Sequence, residues 1–169
     1  NSSGPLAGIK VVDVSSAVAG PWVSSWLAEF GADVVFVEKV GTPDVMRMTG
    51  ATSGDQSGCW VHMHRNKRGM DLDVRSDAGR DILMQLVSEA DVFIQNFRPG
   101  VAERLKIAYP DFASVNPDLI YLSVSGFGAD GPYVDRPVYD PIIQAISGMA
   151  EAQNGTYVKA VVADKQTAM

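Results

Sequence analysis

One carboxylate near the end of the chain could act as a nucleophile or as a general base. Asp164 follows the apolar run Val161-Val162-Ala163 and precedes a segment with small residues. We interpret this run as strand-like and expect it to deliver the carboxylate to a sheet edge, where apolar surroundings and a ligand would tune it. An Asp in such a position is more often a helix cap, so the pattern alone leaves both roles open.

Cationic side chains cluster after two predicted strands, although the chain is acidic overall. One group follows Asn96-Phe97 and comprises Arg98, Arg104 and Lys106. A second group comprises Arg65, Lys67, Arg68 and Arg75. Because a guanidinium binds phosphate oxygens in a bidentate manner, such groups favour a polyphosphate ligand. Solvated surface charge is the alternative for each residue taken singly.

The segment from Ser15 to Pro21 places small residues between a predicted strand and a predicted helix. Backbone N–H groups in such a loop can approach a ligand, although a plain tight turn explains the composition equally well. The spacing is not that of a GxGxxG fingerprint, so a nicotinamide or flavin cofactor is poorly supported. His62 and His64 have no accompanying carboxylate or cysteine ligand set, and we therefore expect packing or surface roles and no metal site.

The composition is that of one globular domain. The chain has 169 residues, of which 46% are hydrophobic and 20% charged, and its formal net charge is −6. This charge argues against nucleic-acid binding. No run approaches the roughly 20 apolar residues of a membrane span, and no signal peptide is visible, so we expect a soluble cytoplasmic protein without membrane contact. Cys59 is the single cysteine, which excludes an intrachain disulfide.

The two ends of the chain indicate a fragment of a longer enzyme. Residues 1–4 have the look of a processed tag remnant, and the last residues lack a terminating pattern. We therefore expect residues 5–169 to form a truncated N-terminal domain.

Alternating strand and helix patterns predict a doubly wound α/β sheet. Continuous apolar runs, such as residues 34–37, suit a parallel sheet that is covered on both faces. The first predicted helix has Pro21 in its first turn and Gly31 at its C′ position. The other predicted elements are strands at 9–14, 70–74, 92–94 and 119–124, a helix begun by Ser76 or Asp77, a helix at 139–149, and an irregular excursion at 41–58.

Taken in order, these motifs resemble the class III CoA-transferase family, which includes formyl-CoA and carnitine CoA-transferases and the related α-methylacyl-CoA racemases. The resemblance covers essentially the whole chain. Its segments are residues 5–13, 19–21, 27–34, 37–39, 66–68, 91–100, 116–117 and 125–128. It implies a Rossmann-like sheet that binds coenzyme A as a substrate, without a permanent cofactor, and an intertwined homodimer in the full-length protein. We expect the small domain and the C-terminal return of the family to lie outside this chain.

The resemblance also implies roles for individual residues. Asp164 matches the family's catalytic Asp, which attacks the thioester to form a mixed anhydride. Tyr139 is similar to the family position near the acyl end of the ligand. The positions similar to the family's CoA contacts are Val18, Ala19, Lys39, Leu72, Arg75, Asn96, Phe97, Arg98 and Arg104.

Departures from the family pattern bear on the substrate and on the reaction. Formyl-CoA transferase carries a His and a Gln where this chain has Ser16 and Val18, which favours a larger or less polar acyl group. The racemases have Gly-His-Asp where this chain has Val138-Tyr139-Asp140, so transfer is favoured over racemisation. Lys165 is unusual beside the catalytic position. An acyl-CoA racemase and a non-catalytic CoA-binding or dimerisation module remain the alternatives.

Overall fold

The computed structural model describes residues 3–54, 56–156 and 162–167. The strands are β1 (Lys10–Asp13), β2 (Asp33–Lys39), β3 (Thr52–Ser53), β4 (Gln56–Ser57), β5 (Arg68–Leu72), β6 (Val92–Gln95) and β7 (Ile120–Ser123). The helices are α1 (Ala19–Glu29), α2 (Gly58–His64), α3 (Asp77–Ser88), α4 (Val101–Leu105), α5 (Tyr109–Ala113), α6 (Asp140–Ile146) and α7 (Val162–Thr167). Short 3₁₀ segments cover Val45–Met48 and Glu151–Gln153.

A five-stranded parallel sheet has the order β5-β2-β1-β6-β7, which confirms the predicted doubly wound α/β class. From β1 the chain builds outward through β2 and β5, and it then returns to add β6 and β7 on the other side. The carboxyl ends of β1 and β6 therefore form a topological switch point, where sheets of this kind bind ligands.

Apolar side chains cover both faces of the sheet. Val11 and Val12 are adjacent in β1 and point to opposite faces, because side chains alternate along a strand. Val12 packs in one cluster with Phe93 and Phe112, whereas Val11 packs in the other with Ile94. The continuous apolar runs thus have the two-sided burial that the sequence predicted. No helix among the described residues is long and apolar enough to cross a membrane.

The connection from β1 to α1 is tight. A Cβ at position 20 would lie 2.3 Å from the Cβ and Oγ atoms of Ser15, so only Gly20 permits this approach of the helix to the strand end. Pro21 lies in the first turn of α1, as predicted, and no side chain among the described residues caps that end of the helix. Gly31 follows the C-cap and has a φ of +100°, which confirms its C′ role.

The strand predicted at 70–74 and the helix predicted at 139–149 both end earlier in the structure. The strand predicted at 70–74 ends at Leu72, because Asp73 begins a turn in which its carbonyl accepts the Ser76 N–H at 3.1 Å. Ser76 then caps α3 by accepting the Gly79 N–H, which confirms the predicted helix start. The helix predicted at 139–149 covers only Asp140–Ile146, with Tyr139 as its N-cap residue.

The strand-like interpretation of the run before Asp164 is wrong for its described part. Asp164 lies in the first turn of α7, and Val161 lies outside the described residues. Ala, Lys and Gln are good helix formers, and a buried carboxylate on α6 accepts the Asp164 N–H, so local preference and tertiary contact both favour a helix. The excursion at 41–58 contains the first 3₁₀ segment and the β3–β4 hairpin, and α2 begins at its last residue.

Candidate functional site

A cleft of about 670 Å³ lies at the carboxyl ends of β1, β2, β5 and β6. Segments that follow these strands line it, together with α4. Five of the residues predicted to contact CoA are in its lining, namely Lys39, Leu72, Arg75, Phe97 and Arg104. The structure therefore brings together side chains that are up to 65 positions apart in the sequence.

Three exposed cations at the cleft are available to an anionic ligand. Lys39, Arg75 and Arg104 form no ion pair within the part of the chain that the structure describes. Six other Lys and Arg side chains do form ion pairs: Lys10, Arg47, Arg65, Lys67, Arg68 and Arg80. Unpaired cations at the rim of a mainly apolar cleft suit the phosphates of a nucleotide whose other parts enter the cleft.

The other four predicted contacts do not line the cleft. Val18 is buried in an apolar cluster with Met46 and Met63, and Ala19 is the first residue of α1. Asn96 follows β6, and its side chain forms hydrogen bonds with Ser16 in the β1–α1 loop. Arg98 is exposed just before α4. Their proposed contacts with CoA stay predictions.

The second basic group of the sequence is divided by the fold, so it does not form one phosphate site. The side chain of Lys67 is 1% exposed, and its Nζ donates to the Pro21 carbonyl at 2.7 Å. Burial lowers the pKa of Lys67 to about 8, against the opposing effect of Asp13. Arg68 pairs with Asp33 at the amino-terminal ends of β5 and β2, away from the cleft, and Arg65 pairs with Glu29. Of this group, only Arg75 lines the cleft.

Beneath the first turn of α1 lies a buried polar network that sequence reasoning missed. Asp13 is fully buried, and the Lys67 Nζ lies 3.6 Å from its Oδ2 atom. The carboxylate also accepts from the Ser15 N–H at 2.9 Å and from the hydroxyls of Ser15 and Ser24. Because Lys67 also binds the Pro21 carbonyl, this network ties the end of β1 to the start of α1. The sequence feature that could have indicated this network is an ionisable residue, Asp13, at the end of a buried strand.

Asp164 is a half-buried carboxyl held in a short helix that packs against α1 and α6. Its backbone N–H donates to Asp140 Oδ1 at 3.0 Å, and Gln144 Nε2 donates to the other oxygen of Asp140. Asp140 is 3% exposed. Burial raises the pKa of Asp164, and the neighbouring charge of Asp140 raises it further. Sequence reasoning did not assign Asp140 this supporting position.

Tyr139 and the two histidines lie outside the cleft lining. Tyr139 is 73% exposed directly before α6. His64 stacks on Trp60 and packs against Phe36, and burial with nearby cations lowers its pKa to about 3, so the ring is neutral at physiological pH. His62 is exposed and contacts Trp22 edge-on. Among the described residues, no group of His, Cys, Asp or Glu is arranged to hold a metal ion.

Comparison with known proteins defines the class to which this fold and cleft belong. The model of CoA-transferase family III matches residues 6–169, and the chain therefore belongs to that family. It is 40% identical over 149 residues to acetyl-CoA:oxalate CoA-transferase of Acetobacter aceti, covering 88% of this chain and 38% of that protein. It is 38% identical to the alpha subunit of succinyl-CoA–L-malate CoA-transferase of Chloroflexus aurantiacus, covering 86% of this chain and 35% of that subunit.

Solved structures agree with this membership. A CAIB/BAIF family protein from Brucella suis superposes with a TM-score of 0.88 at 34% identity, over 95% of this chain and 45% of that chain. Rv3272 from Mycobacterium tuberculosis also gives a TM-score of 0.88, at 29% identity, over 99% of this chain and 49% of that chain. The chain thus spans less than half the length of the relatives that it matches.

Proposed function

We propose that the complete protein moves CoA between carboxylic acids, with Asp164 as the covalent carboxylate. Membership of CoA-transferase family III supports the reaction class. The observation that carries the proposal is Asp164 itself, a half-buried carboxyl whose backbone N–H is held by Asp140, in a helix that packs against α1. The same fold has a cleft with three unpaired cations, although Asp164 is not among the residues that line it. Residues 5–169 would then be the N-terminal CoA-binding domain of a homodimer.

The proposed reaction is a series of acyl exchanges between the Asp164 carboxyl, the CoA thiolate and the two acids. An Asp164 oxygen attacks the thioester carbonyl, the C–S bond breaks, and CoA leaves as a thiolate, which gives a mixed anhydride. The thiolate then attacks the aspartyl carbonyl and releases the first acid as its carboxylate. An acceptor carboxylate attacks the resulting aspartyl–CoA thioester and releases the CoA thiolate, which gives a second mixed anhydride. The thiolate then attacks the acceptor carbonyl, so that CoA leaves as the thioester of the new acid and the Asp164 carboxylate is regenerated. Covalent catalysis of this kind divides one difficult exchange into easier steps.

The β1–α1 loop is the candidate for stabilising the oxyanion formed in each attack. No side chain within residues 3–54, 56–156 and 162–167 caps α1, so the N–H groups of Ala19 and Gly20 can face a developing negative charge. Val18 lies in an apolar cluster at this point, which favours a larger or less polar acyl group than formyl.

Asp140 should control the acid limb of the reaction. Only the ionised Asp164 carboxylate attacks, so kcat/KM should fall as the pH drops through the pKa of this group, which is raised above the usual aspartate range. The Asp140→Asn substitution removes one cause of that increase and should move the acid limb to lower pH. The measurement is kcat/KM against pH for both proteins. Asp118→Asn, on an exposed turn, is the control, and an acid limb that stays in place in Asp140→Asn would contradict the assignment.

The unpaired cations of the cleft should contribute to CoA affinity. Arg75→Ala should raise the Kd for CoA roughly 10-fold, since a charge-assisted hydrogen bond is lost, and the effect should shrink at high salt. Isothermal titration on the complete protein measures it. Arg68→Ala removes the same charge at the amino-terminal end of β5, away from the cleft, and should leave the Kd unchanged. Equal weakening by both substitutions would mean that Arg75 contributes only to overall charge.

The reaction class is tested by exchange and by trapping. The complete protein, given a CoA thioester and a labelled acid, should transfer CoA to the label, and hydroxylamine should trap an acyl group on Asp164. Exchange of the α-hydrogen for deuterium without CoA transfer would instead identify a racemase. Tight CoA binding with neither reaction would identify a binding module.

A further inference from the structure

The β1–α1 loop contains a residue in a conformation that its side chain disfavours. Ala17 has a φ of +61°, in the left-handed region that residues with a Cβ rarely adopt. It lies directly before Val18, at the N-terminus of α1. A contact from outside the loop is therefore needed to hold this conformation.

Asp44 supplies that contact from the segment after β2. It is 7% exposed, and its Oδ2 atom accepts the Ala17 N–H at 2.8 Å. Its Oδ1 atom accepts the Met46 N–H at 2.7 Å and so caps the first 3₁₀ segment. Each carboxylate oxygen of Asp44 therefore accepts a different backbone N–H. Of these two donors, only the Ala17 N–H belongs to the β1–α1 loop.

Asp44 is itself fixed by an ion pair. Its N–H donates to Glu38 Oε1 at 2.7 Å, and Glu38 forms two hydrogen bonds with the Arg47 guanidinium, at 2.9 and 2.7 Å. The Arg47 hydrogen bonds hold the pKa of Glu38 below its ordinary value, so Glu38 is ionised at neutral pH. The carboxylate of Asp44 thus points at Ala17 from a rigid support.

Asn96 holds the loop from the other side. Its Oδ1 atom accepts the Ser16 N–H at 2.9 Å, and its Nδ2 atom donates to the Ser16 carbonyl at 2.7 Å. Ser16 and Ala17 are thereby fixed between the segments that follow β6 and β2. The next N–H groups along the chain are those at the start of α1.

We propose that Asp44 is a positioning residue for the transfer reaction, which sets the left-handed turn at Ala17 and so aims the N–H groups of residues 18–20 at the thioester oxygen. The inference rests on the proposed function for the identity of the ligand, but the contact with Ala17 can be tested without it. Asp44 does not touch the reacting atoms in this role and acts through the loop alone.

Asp44→Ser is the sharpest variant. A serine caps a helix start as well as an aspartate does, so it keeps the Met46 contact, but it is too short to reach Ala17. In the complete protein, kcat for CoA exchange should fall on the order of 10- to 100-fold, because small displacements of reacting groups cost that much. Asp44 itself lines the cleft, and its substitution removes a negative charge there while leaving the cations in place, so the KM for the thioester should not rise by more than about threefold. Hydrogen exchange of the Ala17 amide, read by mass spectrometry, should become faster.

Thr49→Val is the matched control. Thr49 Oγ1 donates to the Val45 carbonyl in the same 3₁₀ segment, so its loss loosens that segment without removing the Ala17 contact. This variant should keep the wild-type kcat. An equal loss in both variants, or a normal kcat and slow Ala17 exchange in Asp44→Ser, would overturn the proposal. If the wild-type protein transfers no CoA, the proposed function fails, and unchanged Ala17 exchange in Asp44→Ser would separately refute the positioning contact.

Discussion

Asp164→Asn should lower the rate of CoA exchange by on the order of 10⁴-fold or more, as expected when a covalent nucleophile is removed. The amide has nearly the same shape as the carboxyl but cannot form the anhydride. Transfer of CoA to a labelled acid measures the rate, and trapping by hydroxylamine should disappear. Turnover within tenfold of the wild-type value would exclude Asp164 as the nucleophile.

The same variant should be at least as stable as the wild-type protein, which separates loss of chemistry from loss of fold. The pKa of Asp164 is raised in the folded state, so the unionised form is favoured there. The wild-type protein therefore loses stability as the pH rises through the unfolded pKa toward the folded one. Asp164→Asn should have the higher Tm at neutral pH, and the difference should vanish at pH values below the ordinary aspartate pKa. A lower Tm for the variant at neutral pH would contradict the assigned shift.

Lys67→Met should destabilise the protein by about 3–5 kcal/mol, the range typical of a buried ion pair that loses one partner. The substitution leaves Asp13 fully buried with only its serine and backbone donors, and it also removes the donor to the Pro21 carbonyl. Urea unfolding measures the change as a lower midpoint at an unchanged slope. A loss below about 1 kcal/mol would mean that the pair is not formed.

A second variant and a control make this result specific. Combining Lys67→Met with Asp13→Asn should cost less than the sum of the two single changes, because the double variant no longer buries an unpaired charge. Arg68→Ala breaks a neighbouring but exposed ion pair with Asp33 and should cost less than about 1 kcal/mol. Simple additivity in the double variant would show that Asp13 and Lys67 are energetically independent.

Several local features could be predicted from the sequence because short-range physics encodes them. The apolar strands were recognised because a parallel strand covered on both faces is apolar at nearly every position. Gly31 and Ser76 were placed at helix boundaries because each carries the chemistry of its cap. The strand prediction for the run before Asp164 is wrong because a few apolar residues have no distinctive period, and because the Asp164 N–H donates to Asp140, 24 positions away.

The sequence by itself determined the class of the fold and the family, since these depend on ordered motifs and local apolar patterns, and it is the source of the proposal that Asp164 is the nucleophile. Only the tertiary structure decided which side chains reach the cleft. In the structure Lys67 is buried against Asp13, Arg68 lies at the amino-terminal end of β5, and Arg75 lines the cleft. The tertiary structure also brought Asp44 to Ala17, 27 positions away. The physical reason is that such contacts depend on strand order and register, and the residue types around any one position do not determine either of them.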